Sequence, residues 1–237
     1  MRARQYIRKL LQKLGYDICR FTPPVIWRRR LLAEFRIDTV LDVGANAGQF
    51  AKQLMHDIGY EHRIISFEPL TSAFAALTEH AKDTPRWTVC NVALGDVDGT
   101  CEMHVAGNSY SSSLLDMLPS LLHSAPEAEY VNTEAVTIRT LDSVFDDYCD
   151  ATNEIYLKID TQGYEMNVLR GAANSLRHID TVQMEMSLTP LYDGEMLFVE
   201  LYQYMTSMDY ALVGIEPAFI DKDTGRLLQV DGVFHRF

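Results

Sequence analysis

Asp42, Glu68, Lys158, Asp160 and Glu185 stand at or near the ends of apolar runs, where a chain of alternating strands and helices gathers its ligand-handling groups. The run Thr39-Val40-Leu41-Asp42-Val43 leads through Gly44-Ala45-Asn46-Ala47-Gly48 into Gln49-Phe50. A buried strand that turns through two glycines into a helix brings bare backbone N–H groups and a positive helix end to one point, where a nucleotide-like ligand can sit. Twenty residues past Gly48, Ile64-Ile65-Ser66-Phe67 ends in Glu68, a carboxylate placed to accept two hydrogen bonds from a ribose diol. Lys158 and Asp160 lie two apart at the end of the apolar run Ile155–Ile159, so on a strand they share one face. Each charge is costly to bury alone. The pair is therefore either a reaction centre or a structural Lys158–Asp160 or Lys158–Glu185 ion pair that organises the sheet.

The nature of the nucleotide follows from two positions. A dinucleotide fingerprint needs Gly-x-Gly-x-x-Gly so that a pyrophosphate can press against the backbone, and Asn46 stands where the middle glycine belongs. Asp42 repels a pyrophosphate but suits a ligand carrying an ammonium group. S-adenosylmethionine has that ammonium, a ribose, an adenine and no phosphate, and so matches each feature.

Four motifs then occur in order: Leu41-Asp42-Val43-Gly44-Ala45-Asn46-x-Gly48, Phe67-Glu68-Pro69, Asn91-Val92-Ala93-Leu94-Gly95-Asp96, and Lys158-Ile159-Asp160-Thr161-Gln162-Gly163-Tyr164-Glu165. Together they resemble the FkbM family of methyltransferases over roughly residues 37–237. The resemblance implies a class I, Rossmann-like α/β fold with a mostly parallel seven-stranded sheet and an antiparallel C-terminal strand. It also implies S-adenosylmethionine as cofactor and transfer, usually to oxygen, onto hydroxyls of sugars, glycoconjugates or natural products. On that reading Asp42, Gly44, Ala45, Asn46, Gly48, Phe50 and Glu68 hold the cofactor, and Pro69 stiffens the backbone beside the adenine. Asn91, Val92 and Ala93 line the adenine pocket by analogy with the fold. Asp160 is the candidate general base, with Lys158 and Glu185 beside it. A divalent metal on Asp160 and Glu185 is the alternative way to acidify the acceptor hydroxyl. The readings from other classes are a non-catalytic cofactor-binding module and a nicotinamide oxidoreductase.

The elements that must position these residues alternate along the chain, the pattern of a parallel sheet with crossover helices. Strands are expected at 39–43, 63–67, 87–94, 155–159 and 182–186, with a closing pair at 211–215 and 232–236. Helices are expected at 48–58, 72–81 with Ser72 as N-cap, 142–148 opened by Thr140 or Asp142, 165–177 interrupted by Gly171, and 197–208. Cys101–Val105 is read as returning in a hairpin, followed by a strand at 136–141. The polar stretch from Gly107 to about Asn132 is read as a lid over the acceptor, within an insertion at about 99–140.

The 237 residues suffice for one large core. The net charge of −12 divides unevenly: residues 1–36 carry ten Lys/Arg against two acids, and the remainder eleven against 31. An acidic body is poorly suited to gripping nucleic acid. The basic segment over residues 3–14 has Ile7, Leu10, Leu11 and Leu14 at helical spacing. It is expected to pack on the acidic body or on a second subunit, as in a homodimer, with peripheral membrane contact as the other reading. Four scattered cysteines with no Cys-x-x-Cys pair, and the lack of a continuous apolar leader, point to a reducing cytoplasm.

Overall fold

The computed structural model describes residues 24–150 and 152–237. The amphipathic helix expected over residues 3–14 lies outside the described residues. Helix α1 (Pro24–Glu34) leads to strand β1 (Thr39–Val43), and α2 (Gln49–Gln53) runs into a π-helical turn, Leu54–Ile58. β2 (Arg63–Phe67), α3 (Thr71–Ala81), β3 (Trp87–Cys90), β4 (Ala93–Leu94), β5 (Gly99–Ala106) and α4 (Pro119–Ser124) follow. Next come β6 (Tyr130–Arg139), α5 (Leu141–Tyr148), β7 (Ile155–Ile159), α6 (Glu165–Arg170) and β8 (Thr181–Ser187). The chain closes with α7 (Phe198–Ser207), β9 (Ala211–Ile220) and β10 (Leu227–His235).

Seven strands form one sheet in the order β3-β2-β1-β7-β8-β10-β9. All are parallel except β10, which runs antiparallel to β8 and to β9. Successive strands step outward from β1 in one direction and from β7 in the other. The switch point between β1 and β7 is where such a sheet opens its ligand crevice. Every residue of β1 and β7 is buried, as expected of parallel strands covered on both faces. One face packs Val40, Ile64 and Tyr156 against Leu31, Ala51 and Leu77 of α1, α2 and α3. The other packs Leu41, Ile65 and Leu157 against Phe145, Val168 and Leu201 of α5, α6 and α7. Asp42 and Lys158 share the parity of Val40 and Tyr156 and are paired in register across β1 and β7. Two charges in an apolar layer thus meet directly.

Several boundaries differ from expectation. The run 87–94 is not one strand: β3 joins the main sheet, while β4 pairs parallel with β6 in a separate three-stranded sheet. Cys101–Val105 does not fold back on β3. It belongs to β5, which pairs antiparallel with β6 some thirty residues on. Ser72 is not the N-cap of α3, which begins one residue earlier. Glu134 from β6 instead accepts from the Thr71 amide at 2.9 Å. Thr140 does cap α5, its hydroxyl accepting from the Ser143 amide.

Candidate active site

A cavity of about 510 Å³ opens at the carboxyl ends of β1, β2, β7 and β8. On its β2–β3 side, Glu68, Pro69, Leu70, Val92, Ala93 and Leu94 form the wall. The β1 turn contributes Gly44, Ala45 and Asn46, and α2 contributes Gln49 and Phe50. Gly44 has φ +73°, and a Cβ there would fall 1.8 Å from the Asp160 carbonyl oxygen. Only glycine lets this turn close against the end of β7.

The bare N–H groups expected of this turn are not found. Gly44 and Ala45 N–H both donate to the Phe67 carbonyl, at 3.1 and 3.0 Å. Asn46 N–H donates to Glu68 Oε2 at 2.8 Å, Ala47 N–H to Asn46 Oδ1, and Gly48 N–H to the Ala45 carbonyl. No N–H of the five is left for a phosphate, which agrees with the exclusion of a pyrophosphate ligand. Glu68 also accepts from the Leu70 amide through Oε1 at 2.9 Å. Burial pushes this carboxyl up to about 7 despite its two N–H donors. Each oxygen retains acceptor capacity toward the cavity.

Three expected cofactor contacts are not on the cavity wall. Asp42 is wholly buried beneath it, 3.3 Å from Lys158 Nζ, and accepts from Ser66 Oγ at 3.1 Å. The ammonium it meets belongs to the protein. Gly48, at φ +80°, lies where a Cβ would run into Trp87 and Leu77, so its role is close packing of turn and helix. Asn91 is exposed, and its amide donates to the Glu68 and Pro69 carbonyls at 3.0 and 2.9 Å, bracing the wall from behind.

The other side of the cavity is polar. Lys158 Nζ lies 3.2 Å from Asp160 Oδ2 and from the Gly44 carbonyl. Burial works against its charge, but Asp160 and Asp42 outweigh that cost and hold the amine above the usual lysine range. The ion pair with Glu185 is not formed. Glu185 instead accepts from the Gln162 and Gln229 amides at 2.9 and 2.8 Å, and Gln162 reaches Asp160 Oδ1 at 2.8 Å. Burial, then repulsion from Asp160, Glu165 and Asp231, raises Glu185 well above its ordinary value. Asp160 and Glu185 thus face an ammonium and an amide N–H group, a setting that does not fit a divalent cation held between them. Among the described residues no three His, Cys, Asp or Glu side chains gather in a metal-holding group.

Sequence reasoning missed the far wall. Arg28 of α1, buried to 4% exposure, donates to Gln53 Oε1 at 2.8 Å and pairs with Glu216 at 2.9 Å. Gln183, Glu216 and Asp231 also line the cavity there. Nothing in Arg28-Arg29-Arg30 distinguishes the one arginine that turns inward. The signal available for Gln162 was its place within the Asp160–Glu165 motif. Ser109, Tyr110, Ser112 and Leu114 reach the cavity from the stretch after β5, so part of the expected lid does cover the site. Asn46 Nδ2 donates to the Ser109 carbonyl at 3.0 Å, tying that strap to the β1 turn.

A sequence model of the methyltransferase FkbM domain matches residues 42–212. The chain belongs to the FkbM methyltransferase family. It is an S-adenosylmethionine-dependent methyltransferase, and the cavity suits that cofactor: a turn with no free N–H groups, a buried Glu68 carboxyl and an apolar wall beside it. Among curated relatives, the 2-O-methyltransferase NoeI of Sinorhizobium fredii is 22% identical over 78% of this chain and 76% of its own length. The hexuronic acid methyltransferase AglP of Haloferax volcanii is 30% identical over 66% of this chain and 59% of its own length. Among solved structures, an rRNA methylase from Streptococcus thermophilus aligns over 92% of this chain and 99% of that one, with a TM-score of 0.49 and 10% identity.

Proposed function

We propose that this FkbM-family enzyme methylates a hydroxyl of a neutral sugar or glycoconjugate, with Asp160 as general base. The observation that carries the reading is one cavity with two chemically distinct halves that meet at Asp160. The apolar half with Glu68 suits a nucleoside, and the half lined by carboxylates and amides suits a polyol that donates many hydrogen bonds. Of the curated relatives, the 2-O-methyltransferase supports transfer to oxygen, whereas the other is a hexuronic acid methyltransferase and so differs from a neutral acceptor.

Gly44, Ala45, Asn46, Phe50, Glu68, Pro69, Val92 and Ala93 would hold the cofactor. Bound there, S-adenosylmethionine supplies a methyl group already activated by its sulfonium. What remains for the protein is alignment and proton removal. A positioned base contributes about 10²–10⁴-fold. Asp160 takes the proton of the acceptor hydroxyl as the new C–O bond forms, because a free alcohol is too weak an acid to ionise beforehand. Lys158 pairs with one Asp160 oxygen and fixes it, leaving the outer edge to the acceptor.

A neutral acceptor is favoured over a uronic acid on charge. The far wall carries Asp160, Glu185, Glu216 and Asp231, while its two cations are already paired, Arg28 with Glu216 and Lys158 with Asp160. A substrate carboxylate would meet like charge in a partly desolvated space. The test is S-adenosylhomocysteine release from a panel of neutral hexosides and hexuronides. Release with neutral acceptors is expected, with Asp160→Asn about 10²-fold slower or worse and unchanged affinity for S-adenosylhomocysteine. Full activity in Asp160→Asn removes the base; release with hexuronides alone reverses the acceptor assignment. Tight cofactor binding without turnover on any hydroxyl would favour the non-catalytic module.

A further inference from the structure

Gln162 occupies an unusual position. It is a non-glycine residue at φ +56°, in the left-handed region that such residues seldom adopt. Its side chain satisfies every hydrogen-bonding group it has. Nε2 donates to Asp160 Oδ1 at 2.8 Å and to Glu185 Oε2 at 2.9 Å, and Oε1 accepts from the Tyr192 hydroxyl at 2.8 Å. Tyr192 is 1% exposed, so that hydroxyl is a fixed reference in the core. The phenol donates to the amide oxygen, which forces the NH₂ end toward both carboxylates. From the other side Ser113, fully buried in the strap after β5, donates to the Gln162 carbonyl at 2.7 Å. Gly163 next in sequence lets the loop lie against Tyr192, since a Cβ there would stand 3.0 Å from its ring.

We propose that Gln162 is a positioning residue of the reaction centre: its amide spaces Asp160 from Glu185 and aims the free edge of Asp160 at the acceptor. This rests on Asp160 being the base. Two carboxylates at the ends of adjacent strands repel, and left alone one of them takes a proton or swings away. A neutral amide with two N–H groups binds both without adding charge. Asp160 is then held at two points, by Gln162 on Oδ1 and by Lys158 on Oδ2. Its rotation is fixed before the acceptor arrives, which is the condition for efficient alignment. The strap that supplies Ser113 also accepts from Asn46 through Ser109. The cofactor turn and the Asp160 loop are therefore stitched to one segment.

The test follows the carboxyl-carbon NMR titration of Asp160 and Glu185 in the whole protein, assigned with Asp160→Asn and Glu185→Gln. Gln162→Met removes both donors at similar side-chain length. It should raise the pH at which the pair takes up its first proton by about one unit or more. Tyr192→Phe should give a smaller rise, and the double variant should match Gln162→Met alone, because Tyr192 acts through Gln162. Affinity for S-adenosylhomocysteine should stay within about threefold throughout, and kcat on a neutral sugar should fall about tenfold or more with acceptor KM little changed. An unshifted titration in Gln162→Met, or full additivity with Tyr192→Phe, overturns the proposal. Should Gln162→Met lose S-adenosylhomocysteine binding, the Tyr192→Phe titration decides alone, an unshifted pair again overturning it. The titration reports the hold of Gln162 on the pair whether or not Asp160 is the base, and turnover of Asp160→Asn reports the base separately.

Discussion

Lys158 is the residue on which most of the site's electrostatics converge. Its ammonium lies between Asp42, Asp160 and the Gly44 carbonyl, with the Phe50 ring 5.7 Å away. Removing one member of a buried ion pair costs about 3–5 kcal/mol, because the partner is left charged and alone, while removing both is far milder. Lys158→Met should therefore lower stability by about that amount, and Asp42→Asn combined with Lys158→Met should recover much of it. Denaturant unfolding of the two variants and the double checks this; equal losses that simply add would show the pair is not coupled. The same pair marks the limit of what residue types reveal. The motif made Asp42 and Lys158 conspicuous, and the period of two placed Lys158 beside Asp160. That Asp42 pairs with Lys158 rather than with a ligand depends on the register of β1 against β7, which no local pattern encodes. Gly48, found by its place in the turn, and Asn91, assigned by analogy with the fold, likewise lie off the cavity wall.

The β1 turn separates two kinds of glycine requirement that look identical as letters. Both Gly44 and Gly48 are left-handed, so alanine is strained at either. At Gly44 the added Cβ collides with the backbone carbonyl of Asp160, which cannot move without reshaping the end of β7. At Gly48 the clash is with the Trp87 and Leu77 side chains, behind the cavity. Gly44→Ala is expected to abolish binding of S-adenosylhomocysteine. Gly48→Ala should lower the melting temperature yet bind within a few-fold of wild type wherever it remains folded. Calorimetric titration below each variant's melting point distinguishes them, and equal loss of binding in both would place Gly48 at the ligand after all. Elements that depend on local apolar runs, such as β1, β2 and β7, were legible to the residue. The three-stranded sheet was not, because β4 and β5 find their common partner β6 only across the long strap, and pairing over that separation leaves no local trace.

At the scale of the molecule, the acidic body buries a few of its carboxyls. Burial pushes Glu165 and Glu68 up to about 7 and Asp231 up to about 6, and Glu185 is likewise raised well above its ordinary value. A carboxyl whose folded value exceeds its unfolded one binds its proton more tightly in the native state. Its stabilising contribution is complete below the ordinary value near 4.5 and is lost as pH rises through the folded value. Asp98, Asp142, Asp150 and Asp221 are shifted the opposite way, by hydrogen bonds from neighbouring hydroxyls and amides that outweigh what burial they have, and lose their contribution only in stronger acid. The melting temperature without cofactor should therefore rise as pH falls from 8 to about 5, then drop below about 4. Glu165 is the cleanest place to test this, being 4% exposed and outside the cavity wall. Its Oε1 accepts from the Thr161 and Gly163 amides, a duty that the amide oxygen of glutamine can take over. Glu165→Gln should shrink the difference in melting temperature between pH 5 and pH 8, by an amount corresponding to about 1–3 kcal/mol. At about 2–4 °C per kcal/mol for a chain of this size, the change is well within the reach of differential scanning calorimetry. A midpoint that climbs toward pH 8, or a slope that survives the substitution intact, would mean the acids of the interior are paired more fully than their surroundings indicate.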